Sequence, residues 1–96
     1  MHWLLFYDGV DDYVNQRAPY RAAHLEYLRA ALERGELLHA GAVGEPPNGS
    51  VLSFLADSAE AVGEFAKNDP YVVGGVVKAW RVERWFVAIG EGAEQL

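Results

Sequence analysis

The chain has 96 residues, 51% of them hydrophobic and 23% charged, and it contains no cysteine. That is ordinary composition for one globular domain with a single core, and it excludes disulfides, thiolate metal sites and a cysteine nucleophile. Eight Lys plus Arg against fourteen Asp plus Glu give a net charge of −6, which disfavours nucleic acid and anionic membranes as partners, because both bind by phosphate neutralisation.

Residues 2–8, from His2 to Asp8, are short and apolar with three aromatics, which predicts a strand. The stretch has no basic flank and is too short for a signal core or a membrane span, so a cytoplasmic location is expected. Gly9 to Asp12 break the strand. A helix is expected from about Asn15 to Arg34, with Pro19 in its first turn, Leu25, Leu28 and Leu32 as an apolar stripe and Gly35 as its stop. Leu37 to Val43 is a second strand, and Glu45-Pro46-Pro47-Asn48-Gly49 a turn cluster. Asn48-Gly49-Ser50 is a glycosylation sequon, of consequence only in a secreted protein. Val51 to Ala56 is a third strand, followed by Asp57 and Ser58, either of which suits a helix N-cap. The helix carries Ala61, Val62, Phe65 and Ala66 on one side and stops before Asp69-Pro70. A loop through Gly74-Gly75 leads to a last strand from about Val76 to Val87.

The order β-α-β-β-α-β predicts an α+β, ferredoxin-like domain over residues 1–96, an antiparallel four-stranded sheet with two helices on one face. Alternation along the strands leaves neither face polar. Leu4 and Phe6 oppose Trp3, Leu5 and Tyr7, while Val51 and Leu55 oppose Leu52, Phe54 and Ala56. In the last strand Val76, Trp80, Val82 and Phe86 oppose Val77, Ala79 and Trp85. Two helices cover one face, so a homodimer stacked through the other is expected.

His24 lies at the margin of the helical stripe, where a half-buried structural histidine is the plain alternative to a functional one. Asp69 before Pro70 reads as helix-stopping punctuation. In this topology the two can meet on the helical side of the sheet, and a contacting carboxylate orients an imidazole for proton transfer. The pocket would then lie between helix and sheet, lined by Tyr7 and Tyr71, with Gly41 allowing close approach. Three histidines, His2, His24 and His39, raise a zinc or iron site, but no ligand spacing supports one. No phosphate loop or serine elbow is present in the sequence.

His24-Leu25 with Leu28, then Gly35-Glu36-Leu37-Leu38 leading to Ala40-Gly41, and Asp69-Pro70-Tyr71 before Gly74-Gly75-Val76 together resemble the YciI-like (YCII-related) family, over nearly the whole chain to Trp85. The resemblance implies a dimeric α-β barrel of two ferredoxin-like sheets and an active site built on a His–Asp pair, which falls on His24 and Asp69. Relatives implied by it include a dehydrochlorinase of chlorinated hydroxyquinol breakdown and, more widely, isomerases and monooxygenases. One departure is the short link at Glu45 to Gly49, where members often carry a longer segment. The expected function is a cofactor-independent isomerase or lyase, dehydrochlorinase-like, acting on a small cyclic or aromatic-derived molecule. A non-catalytic dimeric binding module and a haem-binding or monooxygenase-type barrel are the alternatives.

Overall fold

In the computed structural model, residues 1–94 are described. Four strands, β1 (His2–Gly9), β2 (Leu37–Val43), β3 (Gly49–Leu55) and β4 (Val77–Arg84), form one antiparallel sheet in the order β2-β3-β1-β4. The helices are α1 (Tyr13–Gln16), α2 (Arg21–Glu33), α3 (Ala59–Asn68) and α4 (Pro70–Val73). This is the expected ferredoxin-like α+β fold. Among the described residues no helix is long and apolar enough to cross a membrane.

The first helix differs from its expected span of Asn15 to Arg34. Pro19 lacks an N–H and disfavours helical backbone at Ala18. The chain there tightens into a 3₁₀ turn, Ala18–Tyr20, which separates α1 from α2. Gly35, at φ +77°, stops α2 where expected. Ser58 caps α3, its Oγ accepting from the Ala61 N–H at 3.2 Å. The loop expected before β4 holds the short α4, and β4 ends at Arg84 rather than Val87.

Register decides which strand residues meet the helices. Leu5 lies between Leu52 and Val82, Trp3 between Phe54 and Arg84, and Tyr7 between Ser50 and Trp80. Leu5, Leu52 and Phe54 are buried there with Leu28, Val62 and Phe65 of the helices. Each such large side chain contributes roughly 1.5–3 kcal/mol by leaving water.

The outer face is less apolar than alternation suggested. Leu4, Phe6, Val51 and Leu55 do share it, but β4 adds Ala79, Arg81 and Glu83. A register shift at Asp8/Gly9 turns Val77 inward, where it is buried, and Trp85 lies beyond the strand. Arg81 sits over the Phe6 ring, 4.1 Å from its centroid, so a cation covers part of the apolar centre.

Candidate active site

α2 keeps Leu28 in its buried stripe but replaces Leu25 and Leu32 by the residues just before them. His24, Leu28 and Ala31 are the buried residues, whereas Leu25 is half-buried and Leu32 is 53% exposed. His24 therefore stands within the packed face of the helix rather than at its margin.

Opposite it, Asp69 joins α3 to α4. Pro70 holds the preceding residue in extended backbone, at φ −67° and ψ 129°, which ends α3. The same geometry lets the Asp69 side chain cap α4, with Oδ1 accepting from the Tyr71 N–H at 2.9 Å. Punctuation and site are thus one residue.

Asp69 is fully buried, and its carboxylate is met by donors on both oxygens. Oδ1 lies 2.7 Å from His24 Nδ1, and Oδ2 accepts from the Tyr7 hydroxyl at 2.8 Å. A carboxylate acting as acceptor throughout assigns the proton of that contact to Nδ1, and neutral His24 then presents an unprotonated Nε2. Three hydrogen bonds, one of them from the His24 imidazole, offset the large cost of burying the carboxylate. Tyr71 stacks on His24 at 3.6 Å between ring centroids and 5° between planes, which fixes the imidazole's rotation.

His24 lines a cleft of about 150 Å³ between α2 and the β2–β3 side of the sheet. Leu28 and Leu52 are its apolar base, Ala40 to Ala42 one wall, and Tyr71, Ser50, Arg17 and Arg21 complete it. Tyr71 and Gly41 lie in the lining of this cleft. A Cβ at Gly41 would meet nothing within 4 Å, so close packing within the chain does not require that glycine. Tyr7 sits elsewhere, behind the carboxylate and not on the cleft wall. Burial, and then the charge of Asp69, push its phenol far above the usual tyrosine range, so Tyr7 serves as a hydrogen-bond donor.

His39 is exposed on β2, while His2 is buried at the start of β1, on the outer face. Among the described residues no three potential ligands gather as a metal group. Two wider depressions lie away from His24. One is edged by Asp8, Asp11, Asp12, Glu45 and Lys78, and the other is apolar around Phe54 and Phe65. Neither contains a histidine.

Sequence reasoning missed Arg17, Arg21, Ser50 and Tyr13. Arg17, Arg21 and His24 recur at i, i+4 and i+7, a one-face helical spacing that was readable. The Tyr13–Ser50 hydroxyl contact at 2.9 Å joins residues 37 apart in sequence and had no local signal.

The YCII-related domain model matches residues 1–86. The chain belongs to the YCII-related family. Among solved structures, this YCII-related protein is similar to the 5-chloro-2-hydroxyhydroquinone dehydrochlorinase TftG from Burkholderia phenoliruptrix AC1100, in complex with 2,5-dihydroxybenzoquinone. Identity is 26% over 98% of this chain and 100% of that one, with a TM-score of 0.77. A weaker likeness, to protein Atu4242 from Agrobacterium tumefaciens, has 14% identity over 85% of this chain and 88% of that one, with a TM-score of 0.47. No curated protein matches the YCII-related chain in sequence.

Proposed function

We infer that this YCII-related domain is a small isomerase or lyase, dehydrochlorinase-like, that moves a proton on a single-ring organic substrate. The observation that carries the reading is the buried 2.7 Å contact between His24 Nδ1 and Asp69, on an imidazole that lines a cleft. In this scheme His24 Nε2 takes the substrate proton, and Asp69 is a positioning residue that holds the tautomer and stabilises the imidazolium. The cleft, at about 150 Å³, suits one ring and not two, since an apolar cavity of that size takes benzene. Loss of HCl from a chlorinated hydroquinone needs this chemistry: one ring hydroxyl proton moves to the chlorine-bearing carbon to give the keto tautomer, a base takes a second hydroxyl proton as the C–Cl bond breaks with its electron pair leaving as chloride, and the quinone forms with no external oxidant.

The test is incubation with 5-chloro-2-hydroxyhydroquinone, following chloride release and quinone absorbance, beside ¹⁵N NMR of His24. Turnover is expected to fall roughly 10²–10⁴-fold in His24→Gln, and the spectrum to show an Nδ1–H tautomer. An Nε2–H tautomer overturns the base assignment. Ring binding without proton exchange or turnover would make the domain a binding module.

The reading includes a homodimer stacked through the outer face, supported by the half-buried Leu4, Phe6 and Val51 beside the exposed Leu55. Sedimentation is expected to give a dimer that Phe6→Glu dissociates. A monomeric wild type at micromolar concentration would sink this part alone.

A further inference from the structure

The positive charge in this acidic chain is unevenly placed. Two of its eight Lys and Arg, Arg17 and Arg21, line the cleft that holds His24. Among the described residues no carboxylate lines that cleft and neither guanidinium is in an ion pair, whereas Arg34, Lys67 and Arg84 are each paired with a glutamate. Asp69 is the acid nearest in role, but it is fully buried behind the imidazole with both oxygens engaged. Two guanidiniums on the wall of one cleft repel each other. Unpaired cations over a cleft with no carboxylate in its lining call for an anion from outside the chain.

The surroundings hold the pair in place without neutralising it. Arg21 Nη1 donates to the Tyr71 hydroxyl at 3.4 Å, which ties it to the ring stacked on His24. Arg17 sits over the Tyr13 ring, 5.5 Å from its centroid. Tyr13 and Ser50 share one hydroxyl–hydroxyl bond of 2.9 Å, so one of the two protons is left to donate elsewhere, and Ser50 lines the cleft. Guanidinium forks and a spare hydroxyl donor match the lone pairs of an oxyanion, and Leu28 and Leu52 match the face of a ring.

We propose that Arg17 and Arg21 form an oxyanion clamp, and that the ligand of this cleft is a single-ring molecule bearing a carboxylate or an ionised ring hydroxyl. The proposal rests on the proton-transfer reading only for orientation: the clamp grips the anionic end, leaving the exchangeable proton toward His24 Nε2. An ionised ring hydroxyl so held has its charge stabilised by the guanidiniums while the ring remains next to the base.

The test uses the full chain and titrates benzoate, the neutral isostere benzamide, and 2,5-dihydroxybenzoquinone by calorimetry and NMR. Benzoate or the ionised quinone is expected to bind at least about ten-fold more tightly than benzamide, the scale of charge-assisted hydrogen bonds. Arg17→Gln with Arg21→Gln is expected to abolish that preference. Arg29→Gln, on the same helix but outside the cleft, is expected to keep it. Both arginines are surface residues, and an unchanged ring-current shift of His24 against Tyr71 certifies the fold of the double variant. The two anionic probes separate the sources, carboxylate from ring hydroxyl. Equal binding of benzamide and benzoate, or an anion preference that survives the double substitution, overturns the clamp. The proton-transfer reading fails independently: an intact clamp beside an Nε2–H tautomer of His24 leaves the clamp standing and removes the base.

Discussion

Two histidines of this chain are almost equally buried, His2 at 7% exposure and His24 at 5%, and they have opposite surroundings. His24 has a fully buried carboxylate on one nitrogen, a tyrosine ring flat against it, and a cleft beside it. His2 meets Trp85 edge-on at 6.3 Å between centroids, and its Nδ1 is buried with no hydrogen-bond partner among the described residues. Gly92, at φ +77°, packs so closely on the His2 ring that a Cβ there would lie 2.4 Å from Nε2. Burial alone does not make a histidine a reagent. The difference lies in a carboxylate partner on one ring nitrogen and in a cleft beside the ring.

The largest effect that sharpens this contrast is expected from Asp69→Ala. It strands the Tyr7 hydroxyl, the Tyr71 N–H and His24 Nδ1 at once, around a carboxylate position that is fully buried. The expected loss is about 3–5 kcal/mol of unfolding free energy in urea titrations. A loss below about 1 kcal/mol would mean that the site is solvated and the contrast between the histidines is false.

Tyr7→Phe removes one donor to the same carboxylate and is expected to cost about 1–3 kcal/mol. It also carries a pH signature. Tyr7 ionises well above the ordinary tyrosine value of 10.0 in the folded chain, chiefly through burial. Below pH 10 both states keep the phenol protonated and its contribution is whole. Above it only the unfolded chain ionises, so stability falls by about 1.4 kcal/mol per pH unit for that residue. Unfolding curves between pH 9 and 11 are expected to show a shallower decline in Tyr7→Phe than in wild type. Tyr13, also raised by burial, supplies part of the remaining slope.

His2→Phe is the opposite experiment at the other histidine. It deletes an unpartnered nitrogen and keeps an aromatic ring against Trp85, so stability is expected to stay within about 1 kcal/mol of wild type or rise. Turnover in the chloride-release assay is expected to be unchanged. A large loss of activity would place His2 in the chemistry and dissolve the distinction.

The strands were legible because their residues are β-branched, aromatic and short in run, and the turns because Gly, Pro and Asn mark them. Helix order followed from the same punctuation, except at Pro19, where a single residue split one expected helix into two. His24 and Asp69 were legible as a candidate pair because the topology lets them meet, and family resemblance singled them out, since neither helical spacing nor an Asp-Pro step is specific. What the sequence could not show was contact. Tyr7 looked like a lining residue and lies behind the carboxylate, because strand parity gives a face but not which group on that face meets solvent. Ser50 joins Tyr13 only through tertiary packing. The outer face looked wholly apolar because Arg81 and Glu83, which share the parity of Ala79, were left out of that count, and because the register shift at Asp8/Gly9 turned Val77 inward.

The smallest expected effect concerns how His2 is kept covered. Arg84 donates to the His2 carbonyl at 3.0 Å, to the Trp85 carbonyl at 2.7 Å and to Glu94 Oε2 at 2.8 Å, so one guanidinium pins the returning segment over the start of β1. The hydrogen bond from Arg84 holds the Glu94 carboxyl below the usual glutamate range. A depressed folded value means the contact is whole above the ordinary value of 4.5 and is lost as pH falls through the lower, folded one. Because the pair is at the surface, its loss is expected to loosen the segment locally without unfolding the domain. Glu94→Gln at neutral pH is expected to speed amide exchange at Gly92 and Ala93 and move the Trp85 resonances. Movement of His24 in Glu94→Gln at neutral pH would show the two ends of β1 to be coupled. Stillness there would confirm them as separate neighbourhoods of one sheet.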